Sequence, residues 1–279
     1  MKNYYALLKN HRYPSRFLMA KLLMRTGACR LFTIQMRGYR LWFHNSNVAM
    51  YRWIAPTEHD AELEFFRAYL KPGDLVVDVG ANVGETVLTE SLAVGNAGRV
   101  IAFEPHPRTF GFLKQNLELN QVRNVEAHNL GMGEKPGNLS FSDNKRDDMN
   151  RINGDQSGLQ VRIETLDRAI PSSNRVQLLK VDVEGYEKFV FLGGVRLLSQ
   201  TACVYFEVSA THFKWFGYTT RDLLELIIRA GFQIFQIVQP GSLASVRADF
   251  NPEHFENLVA LSDPSDFQRR TGWKISPVI

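Results

Sequence analysis

Short apolar segments alternate with amphipathic helical segments along most of this 279-residue chain. Each apolar segment is five or six residues long, which suits a buried strand, and helical segments separate most neighbours. Strands that are apolar on both faces are typical of a parallel sheet, because every crossover between parallel strands packs a helix onto the sheet. The sequence therefore predicts a doubly wound α/β fold.

Seven strands and four helices can be placed along this pattern. The strands are predicted, in chain order, at LVVDV, VIAFE, VEAHNL, LLKVDV, CVYFEV, QIFQIV and ENLVAL. The helices are predicted over residues 58–70, 85–93, 109–120 and 221–230. The last two strands are joined by a segment without an obvious helix, so we expect them to form an antiparallel pair.

Four further extended pieces lie outside this set. FTIQM and RLWFH, separated by RGY, predict a hairpin before the first helix. LSFS and LQVRIE flank the polar stretch 143–157, which we interpret as a mobile loop or lid.

Charge divides the chain into two parts. Residues 1–50 carry nine Lys or Arg and no Asp or Glu, whereas the whole chain has a net charge of only +4. We therefore separate a basic N-terminal extension, residues 1–57, from a main domain, residues 58–279. The extension either faces an anionic partner, such as an acidic peptide, a lipid-linked glycan, nucleic acid or a membrane surface, or is a solvated or intramolecularly paired arm.

Cysteine content and hydropathy indicate the compartment. Cys29 and Cys203 are far apart and outside any metal-ligand spacing, so a disulfide framework has no support. No run approaches the roughly 20 apolar residues of a membrane span. We expect a cytoplasmic protein without a transmembrane segment.

Polar side chains follow the predicted strands at the point where each one ends. They are Asp78, Glu104, Asn129, Asp182, Glu184 and Glu207. Unpaired buried charge is costly, so carboxylates that recur at strand ends are hard to explain by packing alone. Ligands of doubly wound sheets bind beyond the carboxyl ends of the strands. The sequence therefore predicts a ligand site at this edge of the sheet.

The turn after the first predicted strand, DVGANVGET, indicates the kind of ligand. Gly80 and Gly84 allow a sharp turn and a close approach of the backbone to a ligand. Glu104 ends the next strand, where a carboxylate can accept hydrogen bonds from a ribose diol. Asn82 stands where a dinucleotide fingerprint needs glycine, which favours a nucleoside cofactor without pyrophosphate, S-adenosylmethionine. A dinucleotide-dependent oxidoreductase remains the alternative from another class.

Several of these motifs together resemble the FkbM family of S-adenosylmethionine-dependent methyltransferases. They are DVGANVGETV, FEPHP, the TLD at residues 165–167, LLKVDVEGYE and the Glu207 strand end, and the resemblance covers residues 58–240. It implies the class I methyltransferase (Rossmann-like) sheet: seven mostly parallel strands with an antiparallel terminal strand. The predicted cofactor-binding residues are Glu58, Asp78, Gly80, Asn82, Gly84, Thr86, Glu104, Pro105, Asn129, Leu130 and Asp182.

Methyl transfer to a hydroxyl needs a group that removes its proton. The candidates are Asp182, Glu184, Glu207 and His212. An amide nitrogen as acceptor would use the same acids for orientation, so the sequence leaves O- and N-methylation open. These residues lack a dedicated metal-binding spacing, and we expect no metal.

The acceptor itself is predicted only as a class. We expect a natural product, glycan or peptide, anionic acceptors included. Methylation of RNA through the basic extension is the alternative, although the extension has no recognisable RNA-binding motif. The oligomeric state stays open, a homodimer included.

Overall fold

The structure is a computed structural model that describes residues 12–56, 61–142, 152, 158–172, 175–252 and 254–277. Two predictions fall outside the described residues: the cofactor-binding residue Glu58, and all of the proposed lid except Ile152.

The described residues contain the four predicted helices and further helices that were not predicted. In chain order they are α1 (Pro14–Thr26), α2 (Asn47–Ile54), α3 (Ala61–Tyr69), α4 (Glu85–Val94), α5 (Pro107–Leu119), α6 (Leu166–Ala169), α7 (Glu187–Leu192), α8 (Val195–Ser199), α9 (Ala210–Trp215), α10 (Thr220–Arg229) and α11 (Pro264–Thr271), with a 3₁₀ helix over Ala28–Leu31. All four predicted helices are present as α3, α4, α5 and α10.

The strands form three sheets. In chain order they are β1 (Thr33–Gln35), β2 (Arg40–Trp42), β3 (Leu75–Val79), β4 (Arg99–Phe103), β5 (Val125–His128), β6 (Gly131–Met132), β7 (Gly137–Phe141), β8 (Leu159–Glu164), β9 (Val176–Val181), β10 (Thr201–Val208), β11 (Gln233–Gln239), β12 (Ser242–Ser245), β13 (Glu256–Leu261) and β14 (Lys274–Ser276).

The largest sheet has nine strands in the order β14-β12-β11-β13-β10-β9-β3-β4-β5. Strands β5, β4, β3, β9 and β10 are parallel neighbours, whereas β13 runs antiparallel between β10 and β11. These seven strands confirm the predicted doubly wound sheet with its antiparallel terminal strand. β12 and β14 extend the sheet at one edge and were not predicted, because each is short and neither is continuously apolar.

Apolar side chains are buried on both faces of this sheet. Val77 and Val79 of β3 pack into one apolar cluster, and Val76 packs into the cluster on the opposite face. Strand β10 shows the same division, with Phe206 on the first face and Tyr205 on the second. Burial on both faces explains why the strands are continuous apolar segments rather than alternating ones.

The N-terminal extension contributes most of a third apolar cluster, which Leu88 of α4 completes. Strands β1 and β2 pair antiparallel with Ile34 opposite Leu41, which confirms the predicted hairpin. Leu41 and Phe43 are fully buried in a cluster that includes residues of α1 and α2. The backbone N–H of Trp42 donates to Oδ1 of Asn116 in α5, at 2.8 Å. The extension thereby packs against the main sheet's helices.

Some of the basic side chains of the extension contact the chain itself. Nη1 of Arg16 donates to the carbonyl oxygen of Ile54 at 3.1 Å, and Arg37 forms an ion pair with Glu64 at 3.1 Å. This supports intramolecular pairing for these two cations. Among the described residues, no helix combines the length and apolar character needed to cross a bilayer.

A small sheet, β6-β8-β7, follows the last parallel strand, β5. Gly131 of β6 lies opposite Ile163 of β8, and β8 pairs antiparallel with β7. Phe141, Val161 and Ile163 form its buried core. The sequence predicted two of these strands as extended pieces, but not the sheet they form.

Candidate functional site

A cavity opens at the carboxyl ends of β3, β4 and β9. The lining residues are Val79, Gly80, Asn82, Glu104, Pro105, His106, Thr109, Leu130, Gly131, Met132, Phe141, Ile152, Ile163, Asp182, Val183, Glu184 and Tyr186. Of the predicted cofactor-binding residues, the cavity contains Gly80, Asn82, Glu104, Pro105, Leu130 and Asp182.

Gly80 starts the turn between β3 and α4, residues 80–84, which we call the Gly80 turn. Its φ is +88°, and a Cβ built on it would lie 1.8 Å from the carbonyl oxygen of Asp182. The two backbones approach so closely because the N–H of Asp182 donates to the carbonyl oxygen of Val79 at 3.0 Å. Only glycine fits here, and the close approach brings the Gly80 turn and the segment after β9 together at the cavity.

Gly84 serves packing rather than the cavity. It has a φ of +89° and caps the N-terminus of α4. A Cβ at this position would lie 2.4 Å from Cδ1 of Leu113 in α5. The glycine therefore lets α5 pack against the start of α4, and it does not line the cavity.

Glu104 lies at the wall of the cavity and is 6% exposed. Its Oε2 accepts a hydrogen bond from the backbone N–H of Asn82 at 2.9 Å, and its Oε1 accepts one from the N–H of His106 at 2.8 Å. Burial raises the pKa of Glu104 to about 7, although these two hydrogen bonds oppose the shift. The carboxylate joins the Gly80 turn to the end of β4 and retains lone pairs for a ligand.

Asp78 is fully buried beneath the Gly80 turn instead of lining the cavity. Its Oδ1 lies 3.2 Å from Nζ of Lys180, and its Oδ2 accepts a hydrogen bond from the hydroxyl of Thr86 at 2.7 Å. The Thr86 hydroxyl is thus hydrogen-bonded to Asp78, and Thr86 does not line the cavity either. The structure places this predicted pair outside the cavity lining, where it supports the Gly80 turn.

Lys180 is the cation of this buried group. Burial alone would lower the pKa of its ammonium, but neighbouring carboxylates, Asp78 first among them, raise the pKa above its ordinary value. Nζ also donates to the carbonyl oxygen of Gly80 at 3.4 Å. Lys180 therefore stays charged and holds the turn from below.

Glu90 of α4 lies in the same buried region, and sequence reasoning missed it. The side chain is fully buried, and neither carboxylate oxygen has a hydrogen-bond partner within the described part of the chain. Burial first, and then the charge of Asp78, raise the pKa of Glu90 well above its ordinary value. Both effects favour the protonated carboxyl.

Pro105 follows the end of β4, and Asn129 directly follows the neighbouring strand β5. Nδ2 of Asn129 donates to the carbonyl oxygens of Glu104, at 2.8 Å, and Pro105, at 2.9 Å. Asn129 does not line the cavity but fixes the backbone that carries Glu104. Pro105 and Leu130 do line it.

The segment after β9 turns sharply at Glu184, whose φ is +56°. Oε1 of Glu187 accepts hydrogen bonds from the N–H groups of Val183, at 3.0 Å, and Gly185, at 3.2 Å. The hydroxyl of Tyr218 donates to the carbonyl oxygen of Gly185 at 2.7 Å. Glu187 is fully buried, and burial raises its pKa to about 8. It supports an unusual backbone conformation, a role that sequence reasoning missed.

The four predicted catalytic residues form one group, which we call the acidic cluster: Asp182, Glu184, Glu207 and His212. Asp182 and Glu184 line the cavity, whereas Glu207 and His212 stand behind them. Nδ1 of His212 lies 3.5 Å from Oε2 of Glu184 and 3.7 Å from Oε2 of Glu207. Burial raises the pKa of Asp182 to about 6, with Lys180 opposing the shift and Glu207 adding to it.

One wall of the cavity is apolar. Leu130, Met132, Phe141 and Ile163 line it, and the last three belong to the small sheet. An apolar surface opposite the Glu104 carboxylate suits a flat aromatic base joined to a hydroxylated sugar. The small sheet depends on pairing between distant segments, so no local pattern pointed to this wall.

Comparison with known proteins agrees with this geometry. A family model described as "Methyltransferase FkbM domain" matches residues 78–234, more than half of the chain. Methyltransferase 1 of Beauveria bassiana is 31% identical over 143 residues, which cover 42% of this chain and 57% of that protein. The chain therefore spans little more than half of that relative.

Two further similarities cover more of the chain. The hexuronic acid methyltransferase AglP of Haloferax volcanii is 26% identical over 217 residues, covering 75% of this chain and 85% of that protein. Among solved structures, a SAM-dependent O-methyltransferase from Thermotoga maritima covers 73% of this chain and 65% of its own, at 15% identity and a TM-score of 0.41. The fold is established by the strand order of the large sheet.

Proposed function

The chain belongs to the FkbM methyltransferase family, whose members take S-adenosylmethionine as methyl donor, and we propose that it methylates a hydroxyl oxygen of a sugar-type acceptor. The observation that carries the proposal is the acidic cluster, of which Asp182 and Glu184 line the cavity. Family membership argues against the dinucleotide-dependent oxidoreductase considered from the sequence.

The residues of the cavity fit the cofactor. S-adenosylmethionine would supply an activated methyl group bound to sulfur. Glu104 would accept hydrogen bonds from the ribose hydroxyls, and the apolar wall around Leu130 and Met132 would hold the adenine. Because Gly80 has no side chain, its backbone lies at the surface of the cavity. The acids nearest this turn are compatible with a cationic sulfonium.

The acidic cluster fits a hydroxyl acceptor. Carboxylate oxygens accept hydrogen bonds from hydroxyl groups, so Asp182 and Glu184 can orient a hydroxyl that enters the cavity. A group of this cluster would receive the hydroxyl proton, which typically contributes about 10²- to 10⁴-fold in rate. Holding the acceptor in line with the methyl group can contribute roughly 7–11 kcal/mol. Orientation is therefore the larger of the two effects.

Similarity to AglP supports a sugar rather than a peptide acceptor. AglP is a hexuronic acid methyltransferase, and the aligned region covers three quarters of this chain. A sugar ring presents neighbouring hydroxyls, which several carboxylates can bind at once. An amide nitrogen offers no such set and has a lone pair delocalised into its carbonyl.

The experiment is methyl transfer from S-adenosylmethionine carrying a labelled methyl group. The protein is incubated with monosaccharides, glycans, peptides and RNA, and the label is located by mass spectrometry. We expect label in sugar products as an ether that resists mild alkali, and transfer reduced roughly 10- to 150-fold in Glu104→Gln when the donor is below saturation. Label only in the peptide or RNA fraction would contradict the proposed acceptor while leaving the methyltransferase assignment intact.

A further inference from the structure

Three side chains of the acidic cluster converge from separate parts of the fold. Glu184 lies in the turn after β9, Glu207 in β10, and His212 in α9. One ligand atom from each lies within 4.8 Å of the other two. Imidazole nitrogen and carboxylate oxygen are both common ligands of divalent metals.

The separations suit a shared ion better than direct hydrogen bonds. Nδ1 of His212 lies 3.5 Å from Glu184 Oε2 and 3.7 Å from Glu207 Oε2, beyond the usual 2.7–3.2 Å for a hydrogen bond from nitrogen to oxygen. Two atoms that each lie about 2.1 Å from one ion are about 3.0–3.5 Å apart in octahedral or tetrahedral coordination. Both His212 separations lie within a few tenths of an ångström of this range, and the two carboxylates each offer an oxygen within 4.8 Å of the other.

Two of the three ligand atoms are shielded from solvent. Oε2 of Glu207 and Nδ1 of His212 are buried and have no hydrogen-bond partner among the residues that the structure describes. Leaving a buried polar atom unsatisfied costs about 1–3 kcal/mol. A cation between the two atoms would satisfy both.

Charge supports the same conclusion. Glu184 and Glu207 bring two carboxyl groups to one imidazole, and Asp182 and Glu187 lie close enough to interact electrostatically with Glu207. A divalent ion would offset the two ligand charges. Three protein ligands leave further coordination positions open for water or a ligand oxygen.

We propose that Glu184, Glu207 and His212 bind a divalent first-row transition metal next to the cofactor cavity. A mixed set of one imidazole and two carboxylates favours Mn²⁺ or Zn²⁺ over the all-oxygen sites of Ca²⁺ and Mg²⁺. Because Glu184 also lines the cavity, the ion would lie on the acceptor side and bind acceptor oxygens. That use of the ion rests on the function proposed above, whereas binding of the metal does not.

The spacing of these residues in the sequence did not indicate a metal site. Glu184 and Glu207 are 23 positions apart, and the strands that carry them to one edge are parallel neighbours. The site depends on the pairing of β9 with β10 and on the return of the chain into α9.

The test is a titration of the full-length, chelator-treated protein with Mn²⁺, followed through the electron paramagnetic resonance signal of the free ion. We expect one equivalent to bind and Zn²⁺ to displace it, in keeping with the usual order of affinities. Glu207→Gln and His212→Phe are expected to weaken Mn²⁺ binding at least about tenfold. His212→Phe retains an aromatic ring to stack on Trp215, which lies 4.6 Å from the imidazole.

The matched control is Glu225→Gln, which changes a carboxylate on the surface of α10 and should leave Mn²⁺ binding unchanged. S-adenosylhomocysteine titrations on the same samples show whether each variant retains a folded cofactor site. Absence of Mn²⁺ and Zn²⁺ binding by the wild-type protein would overturn the proposal, as would equal binding by all variants. Normal cofactor binding in those samples would leave the methyltransferase function standing.

Discussion

Nζ of Lys180 lies 3.2 Å from Oδ1 of Asp78, and both side chains are buried under the Gly80 turn. The same ammonium reaches the carbonyl oxygen of Gly80 at 3.4 Å. The two residues come from neighbouring parallel strands, where Asp78 lies opposite Lys180 in the register. This ion pair therefore supports the Gly80 turn from inside the sheet.

Substitution Lys180→Met should strongly destabilise the protein. It leaves the carboxylate of Asp78 buried without its cation, and removing one partner of a buried ion pair typically costs about 3–5 kcal/mol. Urea denaturation measures the change in the free energy of unfolding. The exposed substitution Lys114→Met is the control and should change it little. The double variant Asp78→Asn/Lys180→Met should recover part of this loss. Equal free energies of unfolding for Lys180→Met and Lys114→Met would contradict this account.

Substitution Gly80→Ala should abolish cofactor binding. The new Cβ would lie 1.8 Å from a backbone oxygen, and the residue would keep a φ of +88°, so the turn must move. We expect a loss of at least about 1–3 kcal/mol in stability, as for other overpacked sites, and no measurable affinity for S-adenosylhomocysteine.

Gly111→Ala provides the matched comparison, because a Cβ at Gly111 in α5 meets no atom within 4 Å. Removing glycine from a helix interior should stabilise the protein by roughly 0.5–1 kcal/mol. Cofactor binding by Gly80→Ala at the level of Gly111→Ala would show that the close backbone approach is not required.

Substitution Glu187→Ala should loosen the turn that carries Glu184. The N–H groups of Val183 and Gly185 would lose their acceptor, at about 1–3 kcal/mol for each buried group left unsatisfied. Glu187→Gln keeps one oxygen in place and should retain most of the stability. Thermal and urea unfolding compare the two variants, and an alanine variant as stable as the glutamine variant would argue against this role.

Cofactor affinity should depend on pH through Glu104. The pKa of Glu104 is raised from its ordinary 4.5 to about 7, so acidification from pH 8 to pH 6 protonates it. Only the carboxylate can accept two hydrogen bonds from a diol, and affinity should fall as the pH drops through 7. Below that value the fall approaches about tenfold per pH unit, as for one linked proton. Calorimetric titration with S-adenosylhomocysteine between pH 6 and 8 measures this pH dependence of the affinity. The affinity of Glu104→Gln should depend less on pH.

The main sheet was predictable because its signals are local. Each parallel strand is a short apolar segment followed by a polar residue, so LVVDV, VIAFE and LLKVDV marked both the strands and the edge where Glu104 and Asp182 lie. The small sheet lacks such a signal. Strand β6 has only two residues, and Gly131 of β6 pairs with Ile163 of β8, a residue far along the chain. Its contribution to the cavity wall could not be anticipated.

The site was predictable only in part, for a related reason. Asp78 has the position of a ligand-binding carboxylate, but its partner Lys180 lies 102 residues away and becomes its neighbour only when β3 pairs with β9. The buried carboxyls of Glu90 and Glu187 lie in helices whose residue types are also common on surfaces. Sequence pattern shows which residues end a strand, but not which way their side chains turn.

Titration of the protein with S-adenosylhomocysteine tests most directly whether the cavity beside Glu104 binds the cofactor. The account predicts saturable binding with one site per chain. Glu104→Gln should weaken it by about 1.5–3 kcal/mol, roughly 10- to 150-fold, the range for hydrogen bonds to a charged group. Glu118→Gln, on the exposed surface of α5, should bind as the wild type does. Equal affinity for Glu104→Gln and Glu118→Gln would contradict the central claim.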